Sequence, residues 1–134
     1  MDYNGKWGAL FKGPHDENHD KFKDDTVYFD FDKATIKASE ESKLQHVADY
    51  FKGSTADALR VEGNCDERGT EKYNLSLGER RALAVREYLH NLGMDALRIE
   101  TISYGASKPV EPGHNEAAWS KNRRGDFILI TPPK

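Results

Sequence analysis

The chain has 134 residues, 37% hydrophobic and 32% charged, enough for one domain with a modest core and a surface rich in both signs. A formal net charge of −3 supplies no basic field for a nucleic-acid partner. No apolar run approaches the ~20 residues of a membrane-spanning helix, and the lone Cys65 excludes an internal disulfide without assigning a redox compartment.

Residues 1–25 mix Gly, Pro, His and charges around isolated Trp7, Leu10 and Phe11. No period holds there, which predicts a flexible or lightly docked N-terminal arm ahead of a domain over residues 26–134. Met1 opens directly into this polar segment with no signal peptide and no lipid-attachment cysteine, so an export signal is expected upstream. His15 and His19 lie four apart with Asp16, Glu17 and Asp20 nearby, the residue types of a metal site. Pro14 and the missing helical period deny it a fixed geometry, and a solvated loop is expected.

Thr26-Val-Tyr-Phe-Asp-Phe31 is β-branched and aromatic with period two. It predicts a strand with Val27, Phe29 and Phe31 on one face and Tyr28 and Asp30 on the other. Asp32 fits turn chemistry, accepting local backbone N–H bonds, while Asp30 stays open between a turn and a site role. Ser39 has the character of an N-cap, with Glu40 and Glu41 in the first turn. Leu44, Val47, Ala48 and Phe51 form the buried stripe of that helix, His46 falls opposite it, and Gly53 supplies the stop. From Ala58 to Asn64, Leu59 and Val61 alternate with Arg60 and Glu62, a second strand.

A second helix is predicted from about Asn74 to Asn91, with Gly93 beyond its end, then a third strand from Ile99 to Tyr104. Pro109 and Pro112 stiffen the following loop. Asn115 to Arg123 can form a short helix carrying Trp119. Asp126 to Thr131 is an apolar run without alternation, which suits a strand central in a sheet or covered on both faces. The order β-α-β-α-β-(short α)-β gives an α/β (α+β) two-layer sandwich, a mixed four-stranded sheet with helices on one face.

Val61-Glu-Gly-Asn-Cys-Asp-Glu-Arg-Gly-Thr70 joins the second strand to the second helix, and two charges near it are out of place. At about 100° per residue the helix stripe runs Leu77, Ala84, Val85, Tyr88, Leu89 and Leu92, and Arg81 falls near its middle. It also sits near the helix start, where the dipole disfavours a cation. A core-facing guanidinium needs a partner, because an unpaired buried charge is costly. Asp66 in the turn can pair with Arg81 alone, Arg81 can reach water along its stem, or the two can form a clamp for a zwitterionic ligand.

Catalytic signatures are missing. Nothing in the sequence places His90 or His114 beside Cys65, which reads as a small packing residue. Phosphate-loop, dinucleotide and helical His-Glu-x-x-His patterns are absent, and no metal or cofactor is expected.

Tyr28-Phe-Asp-Phe-Asp32, the Val61–Thr70 stretch and Tyr73-Asn-Leu-Ser-Leu-Gly-Glu-Arg-Arg-Ala82 occur in order. Ser103-Tyr-Gly-Ala-Ser-Lys-Pro109, Gly113-His-Asn-Glu-Ala-Ala118 and Lys121-Asn-Arg-Arg124 follow them. Together they resemble the OmpA-like peptidoglycan-binding domain, and within it the peptidoglycan-associated lipoprotein (Pal) branch, over about residues 26 to 131. The resemblance implies a non-catalytic anchor that binds the diaminopimelate residue of the peptidoglycan stem peptide as a zwitterion. Asp66 would take its ammonium and Arg81 its carboxylate, with loss of binding but an intact fold in Arg81→Ala and Asp66→Ala. Asn74 would hydrogen-bond the ligand, and Asp30 and Arg124 would line the rest of the site. Arg124 fits equally a brace for the loop after the third strand. The family usually has His where this chain has Asn64. The resemblance further implies a periplasmic, outer-membrane-associated location through an upstream lipid anchor, and Tol-system proteins as partners. The same domain also serves porins and flagellar stator proteins, and a cell-wall hydrolase using Cys65 or a metal is the remaining alternative.

Overall fold

A computed structural model describes residues 5–134. In chain order it contains α1 (Gly5–Lys12), β1 (Asp16–Asn18), β2 (Val27–Tyr28), α2 (Glu41–Lys52), β3 (Ala58–Asn64), α3 (Glu71–Asn91), β4 (Ile99–Gly105), α4 (Glu116–Asn122) and β5 (Arg124–Thr131). Single 3-10 turns precede β2, α2 and β4. Among the described residues no helix is long and apolar enough to cross a membrane.

The mixed sheet runs β1-β5-β3-β4, with β2 pairing a second stretch of β5. β3 and β4 are parallel, Val61 opposite Thr101, and the connection between them is α3, the crossover that a parallel pair requires. β5 lies antiparallel to β3, with Phe127 opposite Val61. Leu59, Val61, Phe127 and Leu129 point to one face and meet Leu44, Val47 and Phe51 of α2 and Ala82, Val85 and Leu89 of α3. The two-layer sandwich and the buried stripe of α2 are therefore as expected from the sequence.

The arm adds to this architecture. Residues 1–4 lie outside the described residues. Residues 5–25, expected as a flexible or lightly docked arm, carry both α1 and β1. The β1 strand pairs antiparallel with β5, Glu17 opposite Ile130, so the sheet has five strands where four were expected. α1 does not join the other helices. Its Trp7, Leu10 and Phe11 pack with Ala58, Ile128 and Ile130, which alternate with Leu59 and Leu129 and so face the other side of the sheet. That explains the unbroken apolar run of β5: both of its faces are covered. His15, expected in a solvated loop, is packed. Its Nδ1 lies 3.0 Å from the Leu10 carbonyl and 3.1 Å from that of Gly13, and its Nε2 lies 3.0 Å from Glu17. Glu17 in turn receives both terminal nitrogens of Arg60 on β3.

Three local expectations change. The strand predicted to reach Phe31 stops at Tyr28. Val27 and Phe29 are buried, but Phe31 is 54% exposed, because Asp32 takes a left-handed φ of 60° that turns the chain. α2 starts at Glu41 without a side-chain cap. Glu40 turns inward, where its Oε1 accepts the Tyr28 backbone N–H at 2.6 Å and a Lys43 ammonium bond. α3 starts at Glu71, a turn earlier than expected, because Thr70 caps it: the Thr70 hydroxyl oxygen accepts the Tyr73 N–H at 3.0 Å.

The closest packing of α3 on the sheet is at two glycines. A Cβ on Gly63 would lie 1.8 Å from the Gly78 carbonyl oxygen, and one on Gly78 would lie 2.2 Å from the Ser103 hydroxyl. This contact brings the next turn of α3, and with it Arg81, down onto the end of β3.

Candidate functional site

The site forms where the C-terminal ends of the parallel strands β3 and β4 meet the N-terminus of α3. β3 ends on a register shift between Gly63 and Asn64, and the Cys65 N–H donates to the Gly105 carbonyl at 2.9 Å. The turn that follows is held by its own side chains. Asp66 Oδ1 accepts the Arg68 backbone N–H at 3.0 Å, the local turn chemistry of an aspartate. Gly69 takes a φ of 102°, and Asn74 Nδ2 donates to the Arg68 carbonyl at 3.0 Å. Asp66 and Asn74 are consequently both buried.

Arg81 is 1% exposed, the largest fully buried side chain among the described residues. Its partners are carbonyls. Nε donates to Lys33 at 2.8 Å, one terminal nitrogen to Asn64 at 3.0 Å and the other to Asp30 at 3.1 Å, using three of its five N–H donors. The inward guanidinium read from the helix stripe is present, and it ties α3 to the 29–33 loop and to β3. It makes no direct ion pair with Asp66. Burial lowers its pKa, with partial compensation from Cys65 and Asp66.

Asp66 is 5% exposed and carries two arginines. Arg68 grips it with two bonds, Nε to Oδ1 at 3.1 Å and a terminal nitrogen to Oδ2 at 2.8 Å. Arg123 stands 3.7 Å from Oδ2, donating its Nε to the Phe29 carbonyl and its other terminal nitrogen to Glu116. Burial pushes the Asp66 carboxyl up. The Arg68 hydrogen bonds and the charges of Arg68 and Arg123 outweigh this and hold it below its ordinary range. The Arg68 guanidinium lies between two aromatic rings, 3.9 Å from the Phe31 centroid and 4.0 Å from that of Trp119, a stacked cation on both faces. Trp119 is itself tied by its indole N–H to Glu67 at 2.8 Å, and Glu67 also meets His114 at 2.7 Å.

Asp66 and Arg81 share a narrow cleft with Phe31, Asp32, Tyr73 and Asn74, of about 10 Å³, scarcely the space of one water. Beside it an open groove of about 490 Å³ is lined by Glu67, Gly69, Asn74, Leu75, Tyr104 and Ser107, and Asn74 belongs to both.

The remaining expected site residues lie as follows. Asp30 contributes its carbonyl to Arg81, while its carboxylate pairs with Lys37 at 3.1 Å and faces solvent. Asp32, expected only in a turn, lines the cleft. Arg124 points away from it. Its Nε bonds Asp126 at 2.9 Å and one terminal nitrogen the Lys108 carbonyl at 2.8 Å, which braces the loop after β4. Its neighbour Arg123 is the one that reaches Asp66. Sequence reasoning missed Arg68, Phe31 and Trp119 as site residues. Cys65 is buried and donates to the Asn74 carbonyl at 3.2 Å, and burial pushes its thiol pKa up. Asn64 Nδ2 donates to the Glu62 carbonyl, and its buried Oδ1 has no hydrogen-bond partner.

The model of the OmpA family matches residues 28–123. The chain belongs to the OmpA family. Over 99 residues it is 52% identical to the peptidoglycan-associated lipoprotein of Haemophilus influenzae, a match covering 74% of this chain and 65% of that protein. The chain thus spans just under two thirds of that relative's length. The crystal structure of the peptidoglycan-associated lipoprotein from Burkholderia pseudomallei superposes with a TM-score of 0.75 at 44% identity, covering 78% of this chain and 88% of that one. The C-terminal domain of Helicobacter pylori MotB shares the fold, with a TM-score of 0.70 at 19% identity over 77% of this chain and 81% of that one. The family match begins at Tyr28, after α1 and β1, so both elements of the arm lie outside it.

Proposed function

We propose that this OmpA-family domain is a non-catalytic binding module for peptidoglycan, holding the diaminopimelate residue of a stem peptide. In this reading it is the wall-gripping part of a Pal-type lipoprotein that tethers the outer membrane to the cell wall from the periplasmic side, with Tol-system proteins as further partners. The observation that carries the reading is Asp66, a carboxylate sunk beside Arg81 whose two oxygens already hold a planar cation. Such a seat suits the ammonium of a zwitterion, and the Arg81 donors not spent on carbonyls, which lie beside the Cys65 sulfur, suit its carboxylate once the cleft is open. Asp32 and the buried Asn74 line the cleft for the amino acid's remaining polar atoms, and the open groove beyond Asn74 has the size to take the rest of the stem. Membrane attachment comes through a lipid anchor upstream of this chain.

The stator reading is consistent with the shared fold of the MotB domain, whose 19% identity carries no more than the fold. The native sequence upstream separates the two: a short signal with a lipid-attachment cysteine supports the lipoprotein, and a membrane helix supports the stator. A hydrolase through Cys65 is disfavoured by a buried thiol of raised pKa.

The test is titration of a soluble L-Ala-γ-D-Glu-meso-diaminopimelate tripeptide followed by backbone NMR. The amides of Phe31, Asp32, Asp66 to Asn74 and Arg81 are expected to shift together. Shifts confined to other surfaces, or none at millimolar peptide, would remove the reading.

A further inference from the structure

Resting on that reading of the Asp66 seat, we infer that Arg68 is a built-in competitor for it, a side chain that fills the ligand's cation position in the free protein and must swing out before a ligand can enter. Three features of the geometry carry this. The guanidinium binds both oxygens of a carboxylate that is 5% exposed, and with the Arg68 backbone N–H it takes three of the roughly four acceptor sites, so a ligand's ammonium cannot be seated fully on Asp66 without displacing it. The guanidinium plane is then covered on its two faces by Phe31 and Trp119, so the cation's whole binding environment is already occupied. The cleft beneath is about 10 Å³, too small for an amino acid, and Arg68 is among the residues closing it.

Arg68 is also placed to leave. Its side chain is 31% exposed, unlike the 5% of Asp66. Its backbone is fixed independently of the guanidinium, by its own N–H on Asp66 and by Asn74 on its carbonyl. Rotation about the side-chain torsions therefore carries the charge into solvent, toward Glu116 and Glu67, whose charges already act on it, without unmaking the turn. Phe31 sits on the loop after β2 and Trp119 on α4, so the space vacated between the two rings would open onto solvent.

A self-ligand of this kind lowers apparent affinity by the fraction of molecules in which it is out. That fraction belongs to the free protein, so it divides the affinity of every ligand that needs the seat by the same factor. Arg68→Met, which keeps an apolar stem between the rings, is expected to bind the meso-diaminopimelate tripeptide about tenfold or more tightly, as for a competent fraction below about 10%. Free meso-diaminopimelate should gain by the same factor. In stopped-flow measurements the gain should lie in the association rate, with dissociation nearly unchanged, a split that a merely structural role would not produce. In the wild type, the Arg68 Nε–H resonance should lose its protection on addition of the tripeptide. Unchanged or weaker binding in Arg68→Met would overturn the inference, the weaker case marking Arg68 as a ligand contact. So would unequal factors for the two ligands. Absence of binding in both proteins, with intact spectra, would overturn the Asp66 seat itself and this inference with it.

Discussion

Replacing Arg81 tests whether this guanidinium is first a structural tie. Its three carbonyl bonds, at 2.8, 3.0 and 3.1 Å, each involve a charged donor and would contribute about 1.5–3 kcal/mol, a gross ~4.5–9 kcal/mol. Against this stands the desolvation of a side chain that is 1% exposed, several kcal/mol for a buried ion. Arg81→Met removes both terms. It leaves the Asn64 carbonyl without its guanidinium donor inside the protein, while those of Asp30 and Lys33 regain some water. The expected net loss is about 2–4 kcal/mol, and Arg81→Ala, which adds a cavity, is expected to lose about 3–5 kcal/mol. For a domain of ordinary stability, about 5–15 kcal/mol, either is a large fraction. The family resemblance implied lost binding with an intact fold. The geometry instead makes the 29–33 loop, which carries Phe31 and Asp32, dependent on this residue. Urea unfolding followed by circular dichroism measures the loss, and amide exchange at Phe31 to Lys33 should accelerate. An unfolding free energy within about 0.5 kcal/mol of wild type, with unaltered exchange, would refute the tie.

Two further outcomes follow from the packing. His15 gains partners on folding, Glu17 first and then the Leu10 and Gly13 carbonyls, and its pKa is raised despite burial. A raised folded value means its stabilisation is complete below the unfolded pKa of about 6.5 and fades as pH climbs through the higher folded value. Exchange protection of β1 and α1 should therefore fall from pH 6 toward pH 8, and His15→Gln should flatten that slope; an unchanged slope in the variant would contradict it. Gly63→Ala drives a methyl into the Gly78 carbonyl at 1.8 Å, a backbone atom that cannot rotate away. It should cost about 1–3 kcal/mol or more by thermal unfolding, and a neutral result would mean that α3 does not sit this close to β3.

What could be read from the sequence was whatever a period reports. The stripe Leu44, Val47, Ala48 and Phe51, the alternation of Leu59 and Val61, and the inward aim of Arg81 are consequences of helical or strand geometry, and each is buried. Features set by tertiary partners were not legible. β1 is Asp-Glu-Asn, with no buried position to give it a period, and becomes a strand because β5 offers it an edge. Glu40 was assigned to a helix start on charge, but the unpaired Tyr28 N–H draws it inward. Arg123 and Arg124 are neighbours entering a strand, and nothing local says which faces Asp66. Arg68 lies in a turn, where no repeat assigns a face, so its place between two rings from distant segments had no signal in the chain.

The central claim is that the Asp66 carboxylate seats the cation of a peptidoglycan stem peptide. Calorimetric titration of the meso-diaminopimelate tripeptide into wild type and Asp66→Asn, each first checked for folding, tests it most directly. Saturable binding by the wild type, weakened at least about tenfold, ~1.4 kcal/mol, in the folded variant is the expected result. Equal affinity in the two proteins would contradict it.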